Sequence, residues 1–169
     1  LEILMALTYT YGFTMTTYTS QNIGAGKFGR VRQGVRTATY IVTLISVASI
    51  LFIFLFARPI VSWIASTDIP LIEENAVMYC RVGVCFFPVL GPLFILRCTL
   101  QGLGHKAVPL ASSVLEFCIK VGSVLFLVPR LGYLGIALTE PISWTLMTTV
   151  LTIGYIRVVR EKKKGLSPA

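Results

Sequence analysis

Of the 169 residues, 55% are hydrophobic and only 13% are charged, with a net charge of +8. A water-soluble domain carries about 25% charged residues, so this composition excludes an ordinary soluble surface and predicts membrane lipid as a partner. The basic residues gather at the ends of apolar stretches and do not alternate with aromatic residues along one face, so no nucleic-acid partner is predicted.

Five apolar segments follow one another along the chain, each close to the ~20 residues that a helix needs to cross ~30 Å of hydrocarbon. They lack the alternation of a membrane β-barrel, so we predict an all-α membrane protein. The predicted spans cover about residues 3–20, 37–57, 76–100, 107–129 and 131–156. Residues 1–157 then form one transmembrane unit, and residues 158–169 form a basic tail. The chain starts at Leu1 without a signal-peptide pattern, so we expect it to be a piece of a longer protein.

The connections between these spans alternate in charge. Residues 21–36, the turn at His105 and Lys106, and the tail after Arg157 are rich in basic residues, whereas residues 58–75 and the turn at Arg130 carry fewer. Since Lys and Arg accumulate on the cytoplasmic side of membranes, the basic connections are predicted to be cytoplasmic. We therefore expect a multi-pass protein of the cell membrane with a cytoplasmic C-terminus.

Ionisable residues inside the spans are candidates for a cavity or ion-coupling role, because burying them in lipid is costly. Glu116 and Lys120 lie four residues apart on one face of the fourth span, together with Ser112 and Ser123. This polar face should point into the helix bundle. The pattern is compatible both with a structural ion pair and with a transport role.

Three further charges lie in the third and fifth spans. Arg81 and Arg97 bracket the third span, and Glu140 lies in the fifth. From the predicted depths, Arg97 should meet Glu116 near the inner side, and Arg81 should meet Glu140 near the outer side. All five charges are candidate cavity or coupling residues.

Helix-breaking and hydroxyl residues add further candidates. Pro88 and Pro92 in the third span and Pro141 in the fifth are candidate hinges, although each could also mark a structural kink. One face of the first span carries hydroxyl groups that either line a hydrated path or pack against other helices. These residues are Thr10, Thr14 and Thr17.

Two patterns that often mark ligand sites have simpler explanations here. The four cysteines lie inside apolar spans without a Cys-x-x-Cys pair, which predicts buried free thiols and no metal site. Gly24, Gly26 and Gly29 form a G-x-G-x-x-G pattern, but no strand precedes it, so we predict a tight turn between helices. No cluster of His, Asp, Glu or Ser indicates an enzyme. The cysteines are Cys80, Cys85, Cys98 and Cys118.

Three stretches together resemble the multidrug and toxic compound extrusion (MATE) family. Residues 21–27 (QNIGAGK) are similar to the family's QN-x-GAGK loop, and residues 96–104 (LRCTLQGLG) to its LRG-x-LQGLG turn. Residues 131–141 (LGYLGIALTEP) are similar to its LGYLGIA…EP stretch. Their order and spacing fit the second half of a family member.

The resemblance implies a twelve-helix transporter made of two six-helix lobes around a central cavity. This chain would supply helices eight to twelve of the C-terminal lobe, and the missing N-terminal lobe would be its partner. The family exports drugs, toxins or metabolites, often organic cations, in exchange for Na⁺ or H⁺ and without a cofactor. The fragment alone would not be competent for transport.

One departure from the family pattern concerns helix ten, where some members carry an acidic cation ligand. The third span has no acidic residue there and has Arg81 and Arg97 instead. Coupling would then use Glu116, Glu140 or a carboxylate of the missing lobe. Two alternatives remain: a lipid-linked oligosaccharide flippase of the same superfamily, and a membrane anchor domain without transport activity.

Overall fold

The computed structural model describes residues 1–65 and 70–165, and all regular elements within these ranges are helical. This confirms the all-α membrane fold expected from the composition. A π-helical segment, Ser123–Leu127, follows α5 directly. The α-helices are α1 (Glu2–Gly24), α2 (Phe28–Ala65), α3 (Pro70–Cys85), α4 (Phe87–Gly102), α5 (Ala107–Gly122), α6 (Val128–Leu131) and α7 (Tyr133–Gly165).

Not all of the five predicted spans meet the same criterion of length and hydropathy. Within the described residues, three stretches do so as continuous helices: Phe28–Ile64, Ala107–Leu131 and Tyr133–Lys162. The pair α3 and α4 qualifies together as a fourth, broken span. Helix α1 does not reach the required hydropathy, because threonine and tyrosine make up much of its length. A membrane crossing by α1 therefore stays a prediction.

The third predicted span, which carries two of the candidate hinges, consists of two helices bent by 54°. α3 ends at Cys85 and α4 begins at Phe87. Pro88 lies in the first turn of α4 and has no N–H to donate, which favours a break at this point. The other two candidate hinges, Pro92 and Pro141, lie inside the continuous helices α4 and α7.

Helix α4 lies at the centre of the bundle and packs against α1, α2 and α7. Its side chains Phe87, Leu90 and Leu93 are almost completely buried. Small residues bring the backbones close: a Cβ added at Gly91 would lie 2.8 Å from Val42 Cγ2 on α2. Such small-residue contacts are typical of helix packing in membranes.

The glycine-rich turn after α1 has the structure predicted for it. Gly26 has φ of 71°, and the Lys27 N–H donates to the Asn22 carbonyl at 2.8 Å, which closes the end of the helix. Gly24 is the last residue of α1 and Gly29 lies in the first turn of α2. The G-x-G-x-x-G pattern is therefore a helix–turn–helix connection.

Candidate functional site

A cavity of about 360 Å³ opens between α1, α3, α4, α5 and α7. It combines charged groups with an aromatic wall. Its charged lining residues are Glu2, Arg97, Glu116, Lys120 and Glu140, and its aromatic ones are Tyr9, Tyr79, Phe94 and Trp144. Four of the five charged residues predicted as candidates from the sequence therefore line one space.

The four interior charges form a continuous chain of ion pairs across three helices. Lys120 Nζ on α5 lies 3.1 Å from Glu116 Oε1 and 3.0 Å from Glu140 Oε1 on α7. Arg97 Nη2 on α4 lies 3.7 Å from Glu116 Oε2. Two cations and two carboxylates leave the chain without net charge, which makes its burial tolerable. We call these four residues the cavity network.

Arg97 is held more firmly than Lys120. Its Nη2 donates to Ser113 Oγ at 2.6 Å and to Ser112 Oγ at 3.4 Å, and the Ser112 hydroxyl donates to the Pro109 carbonyl at 2.8 Å. The Arg97 side chain is 18% exposed and that of Lys120 is 41% exposed. Lys120 is therefore the more accessible cation of the network.

Of the two ion pairs expected from the sequence, one is present, and the prediction of the other is wrong. Arg97 meets Glu116, as the predicted depths suggested. Glu140, however, pairs with Lys120, and the Arg81 guanidinium lies 5.5 Å from the ring centroid of Phe54 on α2. The bend before α4 explains the difference, because it turns α3 so that Arg81 faces α2 and not the cavity network.

The pair of Lys120 with Glu140 was not predicted, although a glycine turn between the two residues could have indicated it. Gly132 has φ of 56° and reverses the direction between α5–α6 and α7. Residues before and after such a reversal lie side by side, so Lys120 and Glu140 are close by hairpin geometry. Membrane depth alone does not reveal this pair, because it takes no account of the reversal at Gly132.

The predicted threonine face of α1 does not line the cavity. Thr10, Thr14 and Thr17 are exposed on the surface of the described bundle. The Thr10 and Thr14 hydroxyls donate to carbonyls of their own helix, at 2.9 and 3.0 Å. A different face of α1 is buried, and from it Thr16 Oγ1 donates to the Cys98 carbonyl of α4 at 3.3 Å.

The aromatic wall of the cavity was also not predicted. The Tyr9 and Phe94 rings form an edge-to-face pair at 4.3 Å between centroids, and the Phe87 and Trp144 rings another at 6.3 Å. The presence of Tyr9 and Trp144 in the interior of predicted spans, away from the interfaces where such residues gather, is the signal that could have indicated them.

The cysteines are free thiols, but only Cys98 is fully buried, whereas Cys85 and Cys118 are exposed on the outer face of the bundle. The prediction that all four are buried is therefore wrong. A lipid-facing thiol needs no burial in protein, since its surroundings are already apolar. Within residues 1–65 and 70–165, no group of three His, Cys, Asp or Glu residues is arranged to hold a metal ion.

Apolar helices around a charged interior cavity define a helical membrane protein of the transporter class. The sequence model of the MatE family matches residues 1–124, and the chain therefore belongs to this family of membrane transporters. The match includes residues 21–27 and 96–104 and ends before residues 131–141. Neither the curated proteins nor the solved structures searched contained a match to this chain.

Proposed function

We propose that this chain is part of a secondary active transporter that exports small organic, mainly cationic compounds in exchange for Na⁺ or H⁺. The transporter would reside in the cell membrane with a cytoplasmic C-terminus, and a second lobe would complete the cavity. The observation that carries the proposal is the position of Lys120 between Glu116 and Glu140 in an aromatic-walled cavity. Paired carboxylates inside a membrane bundle are suited to bind cations in turn.

The cavity network suggests how an organic cation and the coupling ion could exclude each other from the same carboxylate. A bound organic cation needs a carboxylate, and Glu140 becomes available when Lys120 moves away from it. The aromatic wall adds cation–π attraction for the bound cation, from Tyr9 and Trp144 among others. A proton or Na⁺ on the same carboxylate removes the charge that holds the substrate, so the coupling ion and the substrate compete for one group.

A lipid-linked oligosaccharide flippase is the second candidate, because Arg97 and Lys120 could bind a diphosphate. Both cations already contact carboxylates at 3.0–3.7 Å, however, and Glu116 and Glu140 would repel an anionic ligand. With Glu2, the cavity lining carries three carboxylates and two cationic side chains, and this excess of negative charge favours the export of cations. We give the exporter preference over both the flippase and a membrane anchor domain.

The test measures flux of a cationic dye by the full-length transporter in lipid vesicles under separate Na⁺ and H⁺ gradients. We expect gradient-driven flux in the wild type and a loss of about tenfold or more in Glu116→Gln and Glu140→Gln, because each change removes a charge from a partly buried network. Glu161→Gln, an exposed acid near the end of α7, is the matched control and should keep wild-type flux.

Two outcomes would contradict the proposal. If the wild type moves no cationic dye under either gradient, the exporter assignment is wrong. If both network variants retain wild-type coupling, Glu116 and Glu140 have a structural role and the coupling carboxylate lies elsewhere in the protein.

A further inference from the structure

A second charged space lies between α2 and α3 and shares no lining residue with the cavity. It is a cleft of about 460 Å³. α3 separates the two spaces, since Tyr79 and Gly83 face the cavity while Met78 and Val82 face the cleft. We call this space the α2–α3 cleft. Its charged residues are Arg58 on α2 and Glu73, Glu74 and Arg81 on α3.

The charges of this cleft do not neutralise one another directly. All ion pairs found in the described ranges belong to the cavity network, so neither Arg58 nor Arg81 lies within 4.0 Å of Glu73 or Glu74. Arg81 Nε is buried without a hydrogen-bond acceptor, and the Arg81 Cζ lies 5.5 Å from the centroid of the Phe54 ring. A guanidinium without a carboxylate partner can accept an anionic group from the cleft.

The order of the charges along α3 determines at which depth an anionic and a cationic group of a ligand would bind. Glu74 lies seven residues before Arg81, a rise of roughly 10 Å along α3 toward the predicted outer surface. Arg58 directly follows the apolar run of α2. Arg81 thus lies deeper in the cleft than the two carboxylates, and Arg58 lies at the outer end of the predicted span of α2.

Apolar side chains on the inner side of the cleft are exposed on the described bundle. Leu55 on α2 is 72% exposed, and Leu51 and Phe54 are also exposed. Hydrocarbon chains attached to a polar group in the cleft could pack against this apolar surface. A ligand with a deep anion, an outer cation and apolar chains matches all three features.

We propose that the α2–α3 cleft binds the head group of a phosphoethanolamine-type phospholipid from the predicted outer leaflet. The phosphate would accept hydrogen bonds from Arg81 and Arg58, because guanidinium geometry matches phosphate oxygens. The ammonium group would donate to Glu73 or Glu74. A glycerol head group has no cation for these carboxylates and a choline group has no N–H to donate, so the cleft selects phosphatidylethanolamine over both.

The test uses the full-length transporter, reconstituted with equal amounts of phosphatidylethanolamine, phosphatidylglycerol and phosphatidylcholine. After mild detergent extraction, native mass spectrometry counts the lipids that remain bound. Phosphatidylethanolamine should be enriched on the wild type, and Arg81→Gln should lower its retention about tenfold, as loss of a charge-assisted hydrogen bond predicts. Arg130→Gln, an exposed arginine at another predicted outer turn, is the matched control and should retain the lipid.

Two further variants keep the test decisive if Arg81→Gln does not fold. Arg81→Lys retains the charge but not the fork of donors, and should retain an intermediate amount of the lipid. The double variant Glu73→Gln/Glu74→Gln should change the preference from phosphatidylethanolamine to phosphatidylglycerol, since the phosphate site remains and the repulsion of the anion is gone.

Three results would overturn the proposal: equal retention of the three lipids on the wild type, an unchanged preference in the double variant, or saturable binding of free phosphoethanolamine without lipid. The last result would assign the cleft to a soluble zwitterion. Because the readout is lipid retention and not flux, the outcome is independent of the exporter proposal.

Discussion

Arg97 and Arg81 lie on the two halves of the bent α3–α4 pair, and their surroundings differ completely. Arg97 contacts the Glu116 carboxylate and two serine hydroxyls in the cavity, whereas Arg81 lies 5.5 Å from the ring centroid of Phe54 and lines the α2–α3 cleft. The same residue type is therefore part of an internal ion-pair network on one side of the bend and lines a separate cleft on the other. The bend between α3 and α4 determines which charged side chains lie in the same space.

The largest expected effect is at the centre of the cavity network. Lys120→Met removes the cation that joins Glu116 to Glu140 and leaves two carboxylates facing each other in a partly buried space. We expect flux of a cationic dye by the full-length transporter to fall about tenfold or more, because uncompensated buried charge disturbs both stability and binding. Vesicle flux under an ion gradient measures the change.

The control for this change is Lys106→Met, an exposed lysine in the turn between α4 and α5. It makes the same chemical substitution outside the cavity and should leave flux within about twofold, as is usual for surface changes. Equal losses in both variants would show that the network has no special role. Arg81→Met should resemble the control in flux while changing the retained lipid.

A smaller effect is expected where α2 packs against α4, the contact that fixes the cleft helix relative to the cavity helix. Gly91→Ala places a Cβ 2.8 Å from Val42 Cγ2, and a β-branched valine in a helix has little freedom to move away. We expect the free energy of unfolding to fall by about 1–2 kcal/mol, a typical value for overpacking. Reversible unfolding in a denaturing detergent measures it.

The matched control is Gly122→Ala, since a Cβ at this helical glycine would meet no atom within 4 Å. Alanine is a better helix former than glycine, so this variant should be as stable as the wild type or slightly more stable. Destabilisation of both variants to the same degree would mean that the close approach of α2 and α4 is not what Gly91 provides.

The helical class and the glycine turns could be predicted from the sequence because their causes are local. Apolar length indicates a span, and a glycine with positive φ ends a helix, as Gly26, Gly104 and Gly132 do. Glu116 and Lys120 were also found from local spacing, since four residues return to the same helical face.

The missed features depend on how helices are rotated against each other. No local pattern states that the break after Cys85 turns Arg81 toward Phe54, or that Thr16, and not Thr14, faces α4. Such rotations follow from close packing at small residues, which is a property of pairs of helices. The cavity's aromatic wall was missed for the same reason.

The smallest expected effect concerns Glu140, which pairs with Lys120 in the structure and was expected from the sequence to pair with Arg81. In a double-mutant cycle of Lys120→Met with Glu140→Gln, the unfolding free energies should be non-additive by about 0.5–1 kcal/mol, because the two side chains are 3.0 Å apart. The cycle of Arg81→Gln with Glu140→Gln should be additive within about 0.3–0.5 kcal/mol, since Arg81 lies against Phe54 in a different space. Coupling in the second cycle and none in the first would restore the pairing that membrane depth alone suggested, and would reject the bend as the feature that separates the cavity from the cleft.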